Sequence, residues 1–383
     1  MVRMFRFRGR VFMRMDQRLD QTIDRAIGEG RITGTVVLVH RDGEPVYRRA
    51  AGFADREAGR PVAMDTIFRL ASVTKPFVAA TALAMAERGL ISVHDLVRDH
   101  LPWFQPKLAD GRIGDITLHH LLTHTAGLAY DPALERLPAD LAVNCGIADT
   151  DLDYEANFSR VNAIPLHFEP GSRWMYSYAT DILGAVIAKA QGGSLEEAVR
   201  IHVADPLGLA DCRFRVTDAD RLAIAYADGH PEAVRMPDPY SPPETEGWTL
   251  NFSPGRVFNP KAFQSGGAGM VGTAPDVMTF LDTLARGGGD ILSPETVRSA
   301  LSNQIGEIEA EPGRKFTYVG ALVTDRRLAM TPQPEGTVRW GGVYGLNWFI
   351  DPVNRITGLS VTNNALEGCT GRYPEEIVQA IYG

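Results

Sequence analysis

The sequence predicts an α/β fold of the α+β type, in which helices flank one antiparallel sheet and an all-helical lobe is inserted into the chain. Strand-like apolar runs cluster towards both ends of the 383 residues, helical periodicity dominates between them, and the middle region has few strand-like runs. A sheet built from both ends of the chain follows.

The elements can be read in order. From Asp16, "DQRLDQTIDRAIGEG" sets Leu19, Ile23 and Ile27 on one helical face, with Gly28 and Gly30 as stop signals. "TVVLVH" and "PVYRRAAGFADR" then flank the turn "RDGE", the pattern of a hairpin. A helix beginning near Ser72 is followed by short amphipathic pieces such as "ISVHDLVRDHL" and "LHHLLTH", so residues 85–177 read as the helical lobe. Residues 1–84 and 178–383 form the two parts of the α/β domain. The second part opens with the helix "YSYATDILGAVIAKAQGG", ended by glycines, and the helix "GGAGMVGTAPDVMTFLDTLARGGG". "TVRWGGVYGLNWFIDP" and "TGLSVTNNA" read as strands before the closing helix "PEEIVQAIYG". The proline-rich stretch at 236–248 reads as a loop over the surface or a site mouth.

Composition narrows the function. With 44% hydrophobic and 22% charged residues the chain has the make-up of an ordinary soluble globule, and a formal charge of −8 argues against nucleic acid as a partner. The one basic cluster, "MVRMFRFRGRVFMRM", holds five arginines but lacks the apolar run of a secretory signal or membrane span. It reads as a disordered extension ahead of a start at Met13 or Met15, with a short organelle or membrane-surface signal as the alternative, and a cytoplasmic protein with no membrane partner is expected. Cys145, Cys212 and Cys369, odd in number and widely spaced, suit a reducing compartment and small core positions. No metal site and no cofactor is expected; oligomeric state is not legible.

The chemistry centres on "FRLASVTKPFVAAT", where Ser72 and Lys75 lie three apart on one helical face. A serine hydroxyl needs a neighbour to take its proton, and a lysine does so only where desolvation or nearby positive charge disfavours its charged form. Leu70, Val73, Phe77 and Val78 supply apolar surroundings. Alone, the spacing fits equally a serine helix cap and a lysine extending to solvent. A phenol at Tyr176, 104 residues later, can serve as base or proton relay, and the glycines of "RWGGVYG" let a substrate approach what reads as an edge strand.

Those motifs, together with "ITLHHLLTHTAGLAY", "DPLGLADCRF", "SGGAGMVGTAPDV" and "TNNALEG", resemble the serine β-lactamase and penicillin-binding-protein superfamily, and within it most closely the family VIII carboxylesterases. The resemblance spans nearly the whole chain. It implies a β-lactamase/transpeptidase-like fold in which Ser72 is acylated, Lys75 is its partner, and Tyr176 is the general base or relay. It implies an oxyanion hole from the backbone N–H groups of Ser72 and Val343, and a substrate pocket involving Trp340, Gly341, Gly342, Tyr130 and Tyr178. Two departures favour a neutral ester: Tyr178 stands where β-lactamases carry the asparagine of Y-x-N, and Trp340 replaces the lysine of K-T-G. The anchors for an amide and for a substrate carboxylate are therefore missing.

Other readings are weaker. The G-x-S-x-G elbow of α/β-hydrolases does not occur. His120 and His124 lie four apart, but without the glutamate of H-E-x-x-H they read as structural. An acyltransferase sharing the same acyl-enzyme, a residual β-lactamase or D-aminopeptidase, and a non-catalytic penicillin-recognising protein stay open as alternatives.

Overall fold

The computed structural model describes residues 13–130, 142–242 and 250–383. The first four of the five N-terminal arginines and residues 243–248 of the proline-rich stretch lie outside the described residues.

Strands β1 (Gly34–Arg41) and β2 (Glu44–Asp55) form the expected hairpin. Its turn residues Asp42 and Gly43 have φ of 55° and 81°, the left-handed pair that a two-residue turn between twisted strands requires. Strand β3 (Arg60–Pro61) pairs with β2. Four short strands follow outside the main sheet: β4 (Ile67–Arg69), β5 (Tyr226–Ala227), β6 (Val234–Arg235) and β7 (Val271–Thr273), with β4 paired to β7 and β5 to β6. The C-terminal part supplies β8 (Arg314–Phe316), β9 (Ala321–Val323), β10 (Val338–Gly342), β11 (Leu346–Asp351) and β12 (Ile356–Thr362). The eight-stranded sheet has the order β3-β2-β1-β12-β11-β10-β9-β8. Thus β1 and β12 join the two ends of the chain, as the strand distribution predicts.

The helices are α1 (Met15–Gly28), α2 (Thr74–Glu87), α3 (Val97–His100), α4 (Leu118–Leu122), α5 (Tyr154–Phe158), α6 (Ala179–Gln191), α7 (Leu195–Val199), α8 (Ala274–Ala285), α9 (Pro294–Ala300) and α10 (Arg372–Tyr382). Alternate residues of β1 serve opposite layers. Val37 and Val39 pack with Leu19, Ile23 and Ile377 beneath α1 and α10, whereas Val36 and Leu38 face the core that contains Phe77 and Phe280. This two-sided burial explains the unbroken apolar run of "TVVLV".

Helix α2 is buried from Thr74 to Met85, which makes it a central helix rather than an amphipathic surface one. Phe77 stacks on Phe280 at 3.9 Å between ring centroids, and burying each such side chain contributes about 1.5–3 kcal/mol. The residues preceding α2 are fixed by this core.

Two expectations need correction. "GGAGMVGTAPDVMTF" does not form one helix: Val271–Thr273 is strand β7, and α8 starts only after Thr273, whose hydroxyl caps Asp276 N. The β4 edge satisfies that backbone, and Pro275 sets the first turn. Nor is β10 an edge strand. It lies between β11 and β9, but β9 pairs only with Val338 and Arg339, so Trp340–Gly342 is uncovered on that side.

Candidate active site

Ser72 sits in a 3-10 turn, Ala71–Val73, that runs directly into α2. Its neighbour Ala71 holds φ at 45°, a left-handed conformation that costs a non-glycine residue roughly 1–3 kcal/mol and is sustained only by its surroundings. Those surroundings are β10 and β7: Leu70 N donates to Met270 O, and a Cβ on Gly342 would lie 2.4 Å from Leu70 O and 3.4 Å from Ser72 N. Gly342 is therefore required for β10 to reach the serine.

Ser72 and Lys75 are both buried. Lys75 Nζ lies 3.2 Å from Ser72 Oγ, donates to Gly267 O at 2.8 Å and contacts Tyr130 Oη at 3.2 Å. Tyr176 Oη approaches Ser72 Oγ at 2.8 Å, and Lys75 Nζ stands 4.8 Å from the centre of the Tyr176 ring. The serine oxygen thus has an amine and a phenol within hydrogen-bond reach.

Tyr176 does not open a helix, because α6 begins at Ala179. It is held in an irregular segment by Tyr130 N donating to Tyr176 O, and by Met175 N donating to His124 O. His124, with φ at 56°, lays its ring 4.8 Å from that of Tyr176. Burial, and then the charge of Lys75, hold the His124 imidazole well below its usual range. A neutral ring therefore backs the phenol.

Trp340 does more than line a wall. Its Nε1 donates to Tyr176 Oη at 3.3 Å, and together with Lys75, His124, Phe316 and Tyr318 it lines a small, largely apolar pocket. A larger cleft lies between Arg69, Arg256 and Tyr344 and is lined by neither Ser72 nor Lys75.

The other predicted positions divide. Val343 directly follows Gly342, the glycine at which a Cβ would lie 3.4 Å from Ser72 N. Tyr130 reaches Lys75 itself, and burial pushes its phenol well above the usual range. Tyr178 is corrected: it is 2% exposed, with its ring between Phe158 and Tyr130, and it supports Tyr130 from the core. Gly341 is corrected too, since a Cβ there would meet Leu346 O and Cys369 Sγ, on the opposite side of the strand from Gly342.

The sequence reading missed Gly267 and Asp181. A Cβ at Gly267 would lie 2.5 Å from Asp181 Oδ2 and 3.1 Å from Tyr130 Oη. The adjacent glycines of "SGGAG" were the available signal.

The histidine pair has separate tasks. His120 Nδ1 accepts from Thr117 N while Thr117 Oγ1 accepts from His120 N, a capping box at the start of α4. Among the described residues no three potential metal ligands gather. Burial, then His119, lower the His120 pKa to about 4. A folded pKa below the unfolded value means stability that is present above about pH 6.5 and lost as the pH falls towards 4. His120→Gln preserves the capping pattern without the titration, so its melting temperature is expected to fall less than the parent's between pH 7 and 4.5. Parallel melting curves for the two proteins would refute this.

An eight-stranded antiparallel sheet with a serine and lysine one helical turn apart, and a tyrosine against the serine, defines the class of serine enzymes built on the penicillin-recognising fold. The chain belongs to the Beta-lactamase family, whose model matches residues 19–374. It is 44% identical over 376 residues to esterase EstB of Burkholderia gladioli, covering 95% of this chain and 94% of that one. It is 28% identical to a lovastatin esterase of Penicillium rubens, over 90% of this chain and 92% of that protein. Among solved structures it is similar to EstCE1, described as a hydrolase with promiscuous acyltransferase activity, with a TM-score of 0.90, 41% identity, and coverage of 96% and 98% of the two chains.

Proposed function

We propose that this protein is a serine carboxylesterase that cleaves short-chain esters through an acyl-enzyme at Ser72. The observation that carries the reading is the placement of Ser72 Oγ between Tyr176 Oη at 2.8 Å and Lys75 Nζ at 3.2 Å, beside a largely apolar cavity. Ser72 Oγ attacks the ester carbonyl as its proton passes to the Tyr176 and Lys75 pair. The backbone N–H groups of Ser72 and Val343 receive the oxyanion. Collapse expels the alcohol, which takes up the proton, and water activated by the same pair releases the acid.

The departures from β-lactamases support a neutral ester. Tyr178 is buried where those enzymes carry an asparagine, and Trp340 replaces the K-T-G lysine with an apolar wall that also donates to Tyr176. Trp340→Ala is expected to change the ranking of p-nitrophenyl acetate, butyrate and octanoate more than it changes the labelling rate of Ser72 by a small phosphonate. Unchanged chain-length selectivity would remove Trp340 from the pocket.

Acyl transfer is a second reading, supported by the activity described for EstCE1 and by the 27% identical acyltransferase calJ of Penicillium decumbens. Hydrolysis and transfer share the acyl-enzyme, and a competing alcohol in the assay separates them by product. The division at residues 85 and 178 stands as a proposal as well; the 85–177 segment brings Tyr130 to Lys75 and Tyr176 to Ser72. No helix among the described residues is long and apolar enough to cross a membrane. A cytoplasmic location is supported by the free cysteines Cys212 and Cys369.

A further inference from the structure

The turn that presents Gly267 to Lys75 is organised around a buried acid. Asp181, in the first turn of α6, is 0% exposed. Its Oδ1 accepts from Ser265 Oγ at 2.5 Å and from Gly267 N at 3.2 Å, while its Oδ2 has no hydrogen-bond partner. A continuous chain of donors and acceptors therefore connects the amine to the acid: the Gly267 carbonyl accepts from Lys75 at 2.8 Å, the Ala268 N–H of that same peptide donates to Ser265 Oγ at 2.9 Å, and Ser265 Oγ donates to Asp181. Glycine is demanded there, because a Cβ at 267 would stand 2.5 Å from Asp181 Oδ2, and at Gly146 it would meet Ser265 Oγ at 2.1 Å.

A carboxylate buried this deeply is costly unless cations and donors hold it. Burial raises the Asp181 pKa, whereas the Ser265 bond, Lys75, the Gly267 N–H and Arg256 oppose that rise. The groups facing the pair can be named from each packed element. Lys75 meets Ser72, Tyr130, Tyr176 and the field of His124, and Asp181 meets Ser265, Arg256, Tyr154 and Tyr130. Lys75 has no carboxylate in hydrogen-bond contact among the described residues, so Asp181 acts on it at one remove.

We propose that Asp181 is a positioning residue for Lys75: its charge, relayed through Ser265 and the Gly267–Ala268 peptide, fixes where the ammonium stands and how readily it exchanges its proton with Ser72 and Tyr176. The inference rests on the esterase reading and deepens it. Hydrogen bonds in a chain polarise one another, and a charge at one end strengthens the acceptor at the other. Removing the Asp181 charge makes the ammonium form less favourable. The acid limb of the rate profile, which reports the Ser72, Lys75 and Tyr176 group as a whole, is then expected to move towards lower pH.

The test is the kcat/KM profile for p-nitrophenyl butyrate between pH 5 and 9, measured for the parent, Asp181→Asn and Ser265→Ala, with Ser72→Ala as the blank. Asp181→Asn keeps the shape and removes the charge; the expected result is an acid limb displaced downwards by half a pH unit or more. Ser265→Ala leaves the acid but takes away its shortest hydrogen bond, and a smaller displacement in the same direction is expected. If Asp181→Asn does not fold, Ser265→Ala decides. An unmoved limb in the folded variants, with lower melting temperatures alone, would show that Asp181 is merely structural and overturn the inference. A Ser72→Ala blank as active as the parent would instead sink the esterase reading, whatever the limb does.

Discussion

Ser72→Ala is expected to lower hydrolysis of p-nitrophenyl butyrate by about 10⁴-fold or more, because removing the nucleophile of a cooperating group leaves only binding and oxyanion stabilisation. The fold should be untouched. Ser72 is small, and α2 is held by the Phe77 and Phe280 stack and by Leu70, which bonds to Met270 through its backbone. A melting temperature within a degree or two of the parent, measured beside the rate, would attribute the loss to chemistry. Retention of even a tenth of the parent rate would mean that another residue carries the acyl group.

Tyr176→Phe should cost about 10²–10⁴-fold in kcat, the usual range for a general base in contact with its nucleophile. The mutation deletes one oxygen with two contacts: Ser72 Oγ at 2.8 Å and Trp340 Nε1 at 3.3 Å. The ring's packing against Tyr130 and Trp340 persists in the phenylalanine. Because Lys75 and Tyr176 address the same proton, Lys75→Ala combined with Tyr176→Phe is expected to lose far less than the product of the two single losses. Strictly multiplicative effects would show that the two act in separate steps. A Tyr176→Phe variant within threefold of the parent would remove the phenol from the mechanism.

Much of the architecture was legible because burial leaves a period. The two-faced β1, the Asp42 and Gly43 turn, α1 and α10 follow from patterns within a dozen residues. What failed were features decided by distant partners. Val271–Thr273 becomes a strand because β4 offers it an edge, and β10 lies inside the sheet because β8 and β9 extend past it. In the site, Ser72, Lys75 and Tyr176 could be picked out as residue types at telling positions. The faces of Gly341 and Gly342 could not be distinguished without the register of β10, nor could the burial of Tyr178 behind Tyr130. Asp181 was hidden for the opposite reason: an aspartate in a helix's first turn has an ordinary explanation in the helix dipole. Only the fold shows Ser265 and Gly267 closing over it.

The central claim is that Ser72 becomes acylated, and intact-mass analysis of rapidly quenched protein with a p-nitrophenyl acyl ester tests it most directly. The account predicts a gain of one acyl group, mapped by peptide digestion to the segment "LASVTK" and absent from Ser72→Ala. Turnover that continues with no adduct in the parent, or an adduct that persists in Ser72→Ala, would contradict it.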